Sequence, residues 1–370
     1  MKIFSCSVCQ QVLFFENTTC TRCGHALAFL PEHAVISPLE PVADAPGEWV
    51  ALAPLAKGAR YRLCRNYSEN AACSWAVPAA SPDAFCRSCR FNDVIPNLAD
   101  AHAREAWQRI ERAKRRLVFT LVELGLPLET RAESERGLAF AFKQDAAGEK
   151  VFTGHSDGLI TVNIAEADDP FREKMRLDLG ETYRTLLGHL RHEIGHYYRM
   201  RLLDGAPEED ACRALFGDER ADYAAALQRH YDAGPPPDWN GRFVSAYASM
   251  HPHEDFAETW AHYLHMVDTL ETARSYGLAL RPRAEAGDGR VVERTTLRVA
   301  RLDFDDFDDL MGAWVPLTVA LNSMNRSMGL PDAYPFVIPL PAVAKLRFVH
   351  DLIERQKIGA SAPDELRSAS

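Results

Sequence analysis

Residues 189–198 read HLRHEIGHYY, in a segment with apolar residues at helical spacing and no proline. Side chains four positions apart lie on one face of a helix, so His192 and His196 can offer two imidazoles to one metal ion. Glu193 lies about 100° around the helix axis from His192 and can reach a water molecule on that ion. The stretch predicts a zinc-binding helix with Glu193 as general base; the alternative is a helix with surface histidines.

Gly195 lies inside this predicted helix. Glycine in a helix interior costs about 1 kcal/mol relative to alanine. We therefore expect another part of the chain to approach the helix closely at this position.

A second predicted helix, at residues 251–273, could complete the metal site. It begins HPHEDFAETW and carries Glu254 and Glu258 on one face. A catalytic zinc ion takes three protein ligands and keeps one position open, so we expect the third ligand from this helix. His253 is a rival for that place.

Eight of the nine cysteines lie before residue 90, in two sets of four. The first set has two C-x-x-C turns, and the second has one such turn and two more distant members. Pairs of such turns can close a tetrahedron of thiolates around zinc. We expect each set to hold a structural zinc ion, with buried free thiols as the alternative for the second. The sets are Cys6, Cys9, Cys20 and Cys23, and Cys64, Cys73, Cys86 and Cys89.

The composition is that of a globular protein, with 370 residues of which 47% are hydrophobic and 25% are charged. The net charge of −10 makes nucleic acid an improbable partner. No apolar run approaches the length of a membrane span, and the N-terminus lacks the features of an export signal. Metal-type cysteine pairs fit a reducing compartment, so we expect a cytoplasmic protein with no membrane partner.

The expected fold class is α+β. A cysteine-rich zinc-ribbon region at 1–97 is followed by a connecting helix at 98–127 and a mainly helical, zincin-like unit at 128–358 with a small β-sheet. Residues 359–370 are expected to be a flexible tail. Short extended runs at 137–142, 151–154 and 158–164 predict the strands of the small sheet.

The connecting helix contains the basic stretch ERAKRR at 111–116. We expect a solvated helix face there, and contact with an anionic partner is the alternative. The polar stretch RPRAEAGDGR at 281–290 predicts a surface loop.

The order of motifs along residues 1–350 resembles that of a known family. The C-x-x-C pairs are followed, in chain order, by CRSCR, AKRRL, GHSDGLITVNIAEAD, RHEIGHYY, GDERADYAAALQRHY and EDFAETWAHYLH. The two metal motifs are RHEIGHYY and EDFAETWAHYLH, and GDERADYAAALQRHY lies between them. This combination is similar to bacterial zinc-binding metallopeptidases that carry an N-terminal zinc ribbon. These are zincins of the kind in which glutamate is the third ligand, the gluzincins.

The resemblance implies roles for individual side chains. It makes Glu254 the third zinc ligand. A distant likeness to the ligand helix of lethal-factor-type peptidases makes Tyr247, seven residues earlier, a donor to the oxyanion. The alternative for Tyr247 is an ordinary half-buried aromatic side chain. Glu258, Asp222 and Glu219 compete as the carboxylate that orients a ligating histidine.

The sequence thus predicts a zinc metallopeptidase that cuts a peptide or isopeptide bond by Glu193-assisted attack of a zinc-bound water. One alternative is a zinc-ribbon binding module whose helical domain holds a metal without turnover. Another is an amidase acting on a non-protein amide. The expected partner is a peptide or protein substrate, and the resemblance also implies a functional link to peptide-ligating enzymes.

Overall fold

The structure is a computed structural model that describes residues 2–146, 148–178, 185–285, 291–293 and 297–361. A β-rich, cysteine-rich region comes first and a mainly helical region with small sheets follows. The predicted α+β class is confirmed.

The N-terminal region is built from two antiparallel sheets. A two-stranded sheet holds the turn of Cys6 and Cys9, and a five-stranded sheet follows in sequential strand order. The first sheet is β1 (Phe4–Ser5) and β2 (Val12–Leu13); the second is β3 (Ala26–Leu30), β4 (Val35–Pro41), β5 (Glu48–Ala51), β6 (Arg60–Leu63) and β7 (Ala76–Pro78), with helix α1 (Arg65–Ser68) before β7.

The predicted connecting helix is α2 (Ala101–Glu123). Asp100 caps it by accepting hydrogen bonds from the first-turn N–H groups. Phe119 of α2 packs between Phe15 and Phe29 of the N-terminal region, with ring centroids 5.1 and 5.6 Å away. The helix therefore shares the hydrophobic core of the cysteine-rich region rather than bridging two separate cores.

The expectation of a solvated basic face on α2 is wrong for three of its residues. Glu111 and Lys114 are fully buried and form an ion pair of 2.8 Å, and Arg115 is 5% exposed. Arg115 donates to the carbonyl oxygen of Ala72. Burial lowers the pKa of Arg115, but the charges of Cys73 and Glu111 raise it above its ordinary value. Arg115 therefore lies beside the second cysteine set, whereas Lys114 is paired with Glu111 and donates to the side-chain oxygen of Asn92.

A four-stranded mixed sheet lies between the two regions. Its strands are β8 (Asn92–Val94), β9 (Ala139–Lys143), β10 (Gly154–Ser156) and β11 (Leu159–Asn163), in the order β10-β11-β9-β8. The runs predicted at 137–142 and 158–164 thus form β9 and β11, whereas the run predicted at 151–154 overlaps β10 only at Gly154. Strand β8 comes from the cysteine-rich segment and pairs in parallel with β9, so this segment supplies part of the second region's sheet.

The helices of the second region follow the sheet. They are α3 (Asp169–Asp178), α4 (Leu186–Leu203), α5 (Glu209–Phe216), α6 (Tyr223–Ala233), α7 (Pro252–Ser275), α8 (Phe307–Ser327) and α9 (Leu340–Ser361). Helix α7 is central and packs against α4, α8 and α9. Within the described ranges, no helix combines the length and the apolarity needed to cross a membrane.

Short strand pairs follow α7. They are β12 (Ala279–Leu280) with β15 (Leu297–Arg298), and β13 (Arg283–Glu285) with β14 (Val291–Glu293). Strand β13 occupies part of the predicted loop 281–290, whose residues 286–290 lie outside the described chain. Helix α9 continues to Ser361, into the predicted tail, and residues 362–370 also lie outside the described chain.

Candidate metal centre

Two helices present the predicted ligands to each other. Helix α4 begins after Thr185, whose side chain accepts a hydrogen bond of 3.0 Å from the N–H of Gly188. Two turns further on, His192 and His196 project from one face of α4. Helix α7 begins at a proline, and Glu254 lies in its first turn. A glutamate at this position is also favoured by the positive end of the helix dipole.

Gly195 sets the distance between these helices, as the sequence predicted. A Cβ atom on Gly195 would lie 2.9 Å from the Cα of Ala257 and 3.1 Å from the Cβ of Trp260, both on α7. The backbones therefore touch where the ligands converge. Only glycine allows this approach without displacing one helix.

The three predicted ligand atoms form a triangle. The Nε2 atoms of His192 and His196 lie 3.1 Å apart, and each faces Glu254 Oε2, at 3.0 and 3.5 Å respectively. Tetrahedral zinc with ligand bonds of 2.0–2.1 Å would require edges of about 3.3 Å. Glu254 Oε2 is buried and has no hydrogen-bond donor in the part of the chain that the structure describes. The residues present therefore fit a zinc ion.

Glu258 fixes the orientation of His192. The Nδ1 atom of His192 lies 2.7 Å from Glu258 Oε1, and Ser245 donates its hydroxyl to the other oxygen of Glu258 at 2.6 Å. A proton held at Nδ1 leaves the Nε2 lone pair for a metal. Burial lowers the pKa of His192, but Glu254 and Glu258 outweigh burial and raise it well above its ordinary value. The site thus attracts a cation.

The two rival carboxylates lie elsewhere. Asp222 caps helix α6 by accepting from the N–H of Ala225 at 3.0 Å. Glu219 pairs with Arg213 at 2.8 Å and with Arg199 at 3.3 Å. Of the three candidates, Glu258 is the one in contact with a ligand histidine.

Glu193 lies beside the triangle with one oxygen bound and one free. Its Oε1 atom is 3.2 Å from the Nε2 atom of His189, one turn earlier. Its Oε2 atom is buried and lacks a hydrogen-bond partner among the described residues. Burial raises the pKa of Glu193, but the hydrogen bond from His189 together with the charges of His189, His192 and His196 outweighs burial, and the net pKa lies below the ordinary value. Glu193 is therefore an ionised carboxylate at neutral pH.

Two tyrosines lie beside the ligands His192 and Glu254. The ring of Tyr247 is 6.0 Å from that of His192, and Tyr223 donates its hydroxyl to Glu254 Oε1 at 3.0 Å. The two hydroxyl groups also interact with each other. Burial raises the pKa of both tyrosines, so both remain O–H donors. Tyr223 lies in the GDERADY motif, but no sequence pattern assigned it a role.

His189 and Ser245 were also missed. His189 lies four residues before Glu193, the spacing at which side chains on a helix meet, so this contact had a sequence signal. Ser245 meets Glu258 through tertiary packing, which no local pattern encodes.

The triangle lies in an open cleft of about 1320 Å³. One wall is the edge strand β10, where the ring of His155 lies 6.4 Å from that of His196. The other wall includes His230, Tyr231 and Trp239. His253, the rival ligand, also lines the cleft. The position of a fourth metal ligand, on the cleft side of the triangle, is thus accessible from solvent.

Each cysteine set converges as well, with all four sulfur atoms within 4.8 Å of one another. In the first set, Cys6 and Cys23 are 3.7 Å apart and Cys9 and Cys20 are 3.5 Å apart. Tetrahedral zinc–thiolate bonds of 2.3 Å would require sulfur separations of about 3.8 Å. The second set, Cys64, Cys73, Cys86 and Cys89, is entirely buried. Cys212 is apart from both sets and is a buried thiol on α5.

Two histidines and a glutamate that leave one metal position open define a metal centre of the metallopeptidase type, since the carboxylate of Glu193 lies beside them with one oxygen unbound. A family model described as "Putative zinc-binding metallo-peptidase" matches residues 103–352, and a zinc-ribbon domain model matches residues 3–100. The chain belongs to this metallopeptidase family, as its motifs predicted.

The chain is similar to an uncharacterised protein of Mycobacterium tuberculosis and to one of Mycobacterium bovis. Each is 41% identical over 356 residues, which cover 96% of this chain and 96% of the relative. No solved structure matches the chain significantly.

Proposed function

We propose that the protein is a zinc-dependent peptidase that hydrolyses a peptide or isopeptide bond in the cleft. The observation that carries this proposal is the convergence of His192, His196 and Glu254 at an accessible surface, with the unbound oxygen of Glu193 beside them. Three ligands with one open position are typical of catalytic zinc, whereas four closed ligands are typical of structural zinc.

A zinc ion bound by these ligands would polarise the scissile carbonyl group and lower the pKa of a water molecule to about 7. Glu193 accepts a proton from the attacking water and transfers it to the amine nitrogen as the C–N bond breaks. Tyr247 donates a hydrogen bond to the developing oxyanion, while Tyr223 beside it donates its hydroxyl to the ligand Glu254. The lowered pKa of Glu193 and the raised pKa values of both tyrosines match these protonation states.

The cysteine clusters have a different role in this proposal. Each has four thiolates and no open position, so each would hold a structural zinc ion. The zinc-loaded chain would therefore contain three zinc ions, two structural and one catalytic.

The test is hydrolysis of a proteome-derived peptide library in H₂¹⁸O, with new termini identified by mass spectrometry. The intact chain should produce new carboxyl termini that carry ¹⁸O. Glu193→Gln should keep all its zinc and lose about 100- to 10,000-fold in rate. Undiminished cleavage by Glu193→Gln would overturn Glu193 as the base. The absence of new termini with the intact chain would overturn the peptidase.

Metal counting separates the peptidase from a binding module. We expect three zinc ions per chain and two in His192→Ala, with the fold retained. Two zinc ions in the unmutated chain would support a ribbon-based binding module instead.

A further inference from the structure

Glu193 is one end of a chain of hydrogen bonds that leads away from the ligands. Its Oε1 atom faces His189 Nε2 at 3.2 Å, and His189 Nδ1 faces Glu166 Oε2 at 2.5 Å. Glu166 Oε1 accepts the hydroxyl of Thr153 at 2.6 Å. The sequence of contacts is Thr153, Glu166, His189 and Glu193.

Each ring nitrogen of His189 faces a carboxylate oxygen. Because an ionised carboxylate only accepts hydrogen bonds, a ring protonated at both nitrogens can donate to both glutamates. A ring with two N–H donors is an imidazolium. Burial lowers the pKa of His189, but the charges of Glu166 and Glu193 raise it to about 9. Geometry and electrostatics thus both favour a protonated ring at neutral pH.

We propose that His189 is a positioning residue that holds one oxygen of Glu193 and thereby leaves the other facing the reacting water, and that Glu166 fixes His189 in this orientation. This inference rests on the proposed function, because it deepens the role of the general base. A carboxylate rotates easily about its last bond. Since Oε1 is tied to His189 and Oε2 has no partner among the described residues, one orientation is selected.

The chain also connects Glu193 to the wall of the cleft. Glu166 lies in the turn after β11 and is 4% exposed, and Thr153 directly precedes edge strand β10. Thr153 additionally accepts the backbone N–H of Asn163 at 3.0 Å. The position of Glu193 is therefore tied, through His189 and Glu166, to the strand that forms one wall of the cleft.

A purely structural role explains this arrangement poorly. Burying three charged groups costs desolvation energy that an apolar cluster of the same volume avoids. His189 also borders the cleft, so its charge lies where the reaction would occur. The site of the charge fits a role in orienting the base.

The first test is kinetic, on the zinc-loaded full chain with a peptide that the library experiment identifies. His189→Gln should reduce kcat about 10- to 100-fold and leave KM and three zinc ions per chain unchanged. A glutamine there can donate to Glu193, but its oxygen faces the carboxylate of Glu166. The double variant Glu166→Gln/His189→Gln removes this conflict, so it should recover much of the lost kcat.

His350→Gln is the matched control. Both ring nitrogens of His350 are also in contact, Nδ1 with the hydroxyl of Tyr263 at 2.9 Å and Nε2 with the carbonyl oxygen of Asp305 at 3.0 Å, but His350 does not line the cleft. This variant should keep kcat within about twofold. Unchanged kcat in His189→Gln, or a loss of kcat that parallels a loss of zinc, would overturn the inference.

The second test needs no activity. ¹⁵N-histidine spectra of the zinc-loaded chain at pH 7.5 should show one imidazole with both nitrogens protonated, and His189→Gln should remove this signal. Glu166→Gln should convert the same ring to a form with one protonated nitrogen. A neutral His189 in the unmutated chain would overturn the inference.

The outcomes separate the two proposals. Hydrolysis by Glu193→Gln contradicts the proposed function, while the spectra still report whether His189 bridges two carboxylates. Inactive Glu193→Gln together with fully active His189→Gln contradicts the positioning role alone.

Discussion

The two cysteine clusters and the histidine–glutamate triangle are all candidate metal sites, but they differ in what surrounds them. The second cluster is fully buried, and backbone N–H groups point at its sulfur atoms, from Trp75 to Cys73 at 3.4 Å and from Cys86 to Cys64 at 3.3 Å. The triangle lies at the floor of a cleft with one face accessible. Closure on four sides stabilises a fold, whereas an open side admits a substrate.

The two kinds of site also balance charge differently. The second cluster lies against one buried cation of α2, Arg115, whose charge faces Cys73, and the Cys89 sulfur lies 4.0 Å from the carboxylate of Glu111. The triangle is instead oriented by carboxylates, chiefly Glu258 behind His192. Cations beside thiolates stabilise a filled structural site, while carboxylates behind imidazoles strengthen the ligands and keep the open site attractive to a cation.

The difference between the buried cysteine cluster and the open triangle requires that loss of the cluster destabilise the fold. Cys73→Ser should release one zinc ion and cost more than about 5 kcal/mol, because structural zinc supplies folding energy comparable with the stability of a whole domain. Thermal unfolding and zinc content measure the effect. Cys212→Ser, at a buried thiol outside both clusters, should cost about 1–3 kcal/mol and release no zinc. Equal losses in the two variants would contradict the structural role.

Gly195 tests whether the triangle depends on the contact between α4 and α7. Gly195→Ala should destabilise the fold by about 1–3 kcal/mol, because the added methyl group overlaps Ala257. It should also weaken zinc binding at the triangle while both cysteine clusters keep theirs. Gly205→Ala is not a suitable control because its backbone has a positive φ, whereas Gly241→Ala is, since nothing lies within 4 Å of an added Cβ. An unaffected Gly195→Ala would show that the helices can separate freely.

Glu258 tests whether a carboxylate behind His192 strengthens metal binding at the triangle. Glu258→Gln should weaken zinc binding at the triangle about 10- to 100-fold, because His192 loses a charged acceptor at Nδ1. Competition with a chelator measures this affinity. Asp222→Asn is the control, since asparagine also caps a helix and Asp222 lies away from the ligands. A similar loss of zinc in both variants would remove the special role of Glu258.

The last expected effect is on the pH dependence of stability. The folded-state pKa of His189 is raised to about 9 from an ordinary 6.5. Its contribution to stability is therefore complete below pH 6.5 and disappears as the pH rises through about 9. Melting temperatures between pH 6.5 and 9.5, at saturating zinc, should fall more steeply for the unmutated chain than for His189→Gln. Identical slopes would show that His189 is not protonated in the fold.

The sequence predicted most of what local spacing encodes. The i, i+4 histidines, the C-x-x-C turns and the alternating strand each fix their own geometry, and Gly195 signalled a close helix contact through its cost in a helix. The third ligand required more, because Glu254 and Glu258 share a face of α7 and the residues alone did not choose between them. The family resemblance pointed to Glu254, and the structure places its carboxylate between both imidazoles.

What the sequence did not predict depends on tertiary packing. The ERAKRR stretch looks like a solvated face because its charge is local information, whereas the groups that Lys114 and Arg115 contact, Asn92 and Ala72, come from distant positions. The same holds for Tyr223 and Ser245, which reach the site from other segments. The choice among Glu258, Asp222 and Glu219 was likewise decided by which helix faces α4.

The parallel pairing of β8 with β9 has a consequence for biosynthesis. Strand β8 follows closely after the last cysteine of the second cluster, so the cysteine-rich region is part of the sheet of the second region. A version of the chain without this region would leave β9 with an unpaired edge. The cysteines leave the ribosome before the histidine helix. We expect cellular zinc supply to govern the assembly, and through it the abundance, of this protein.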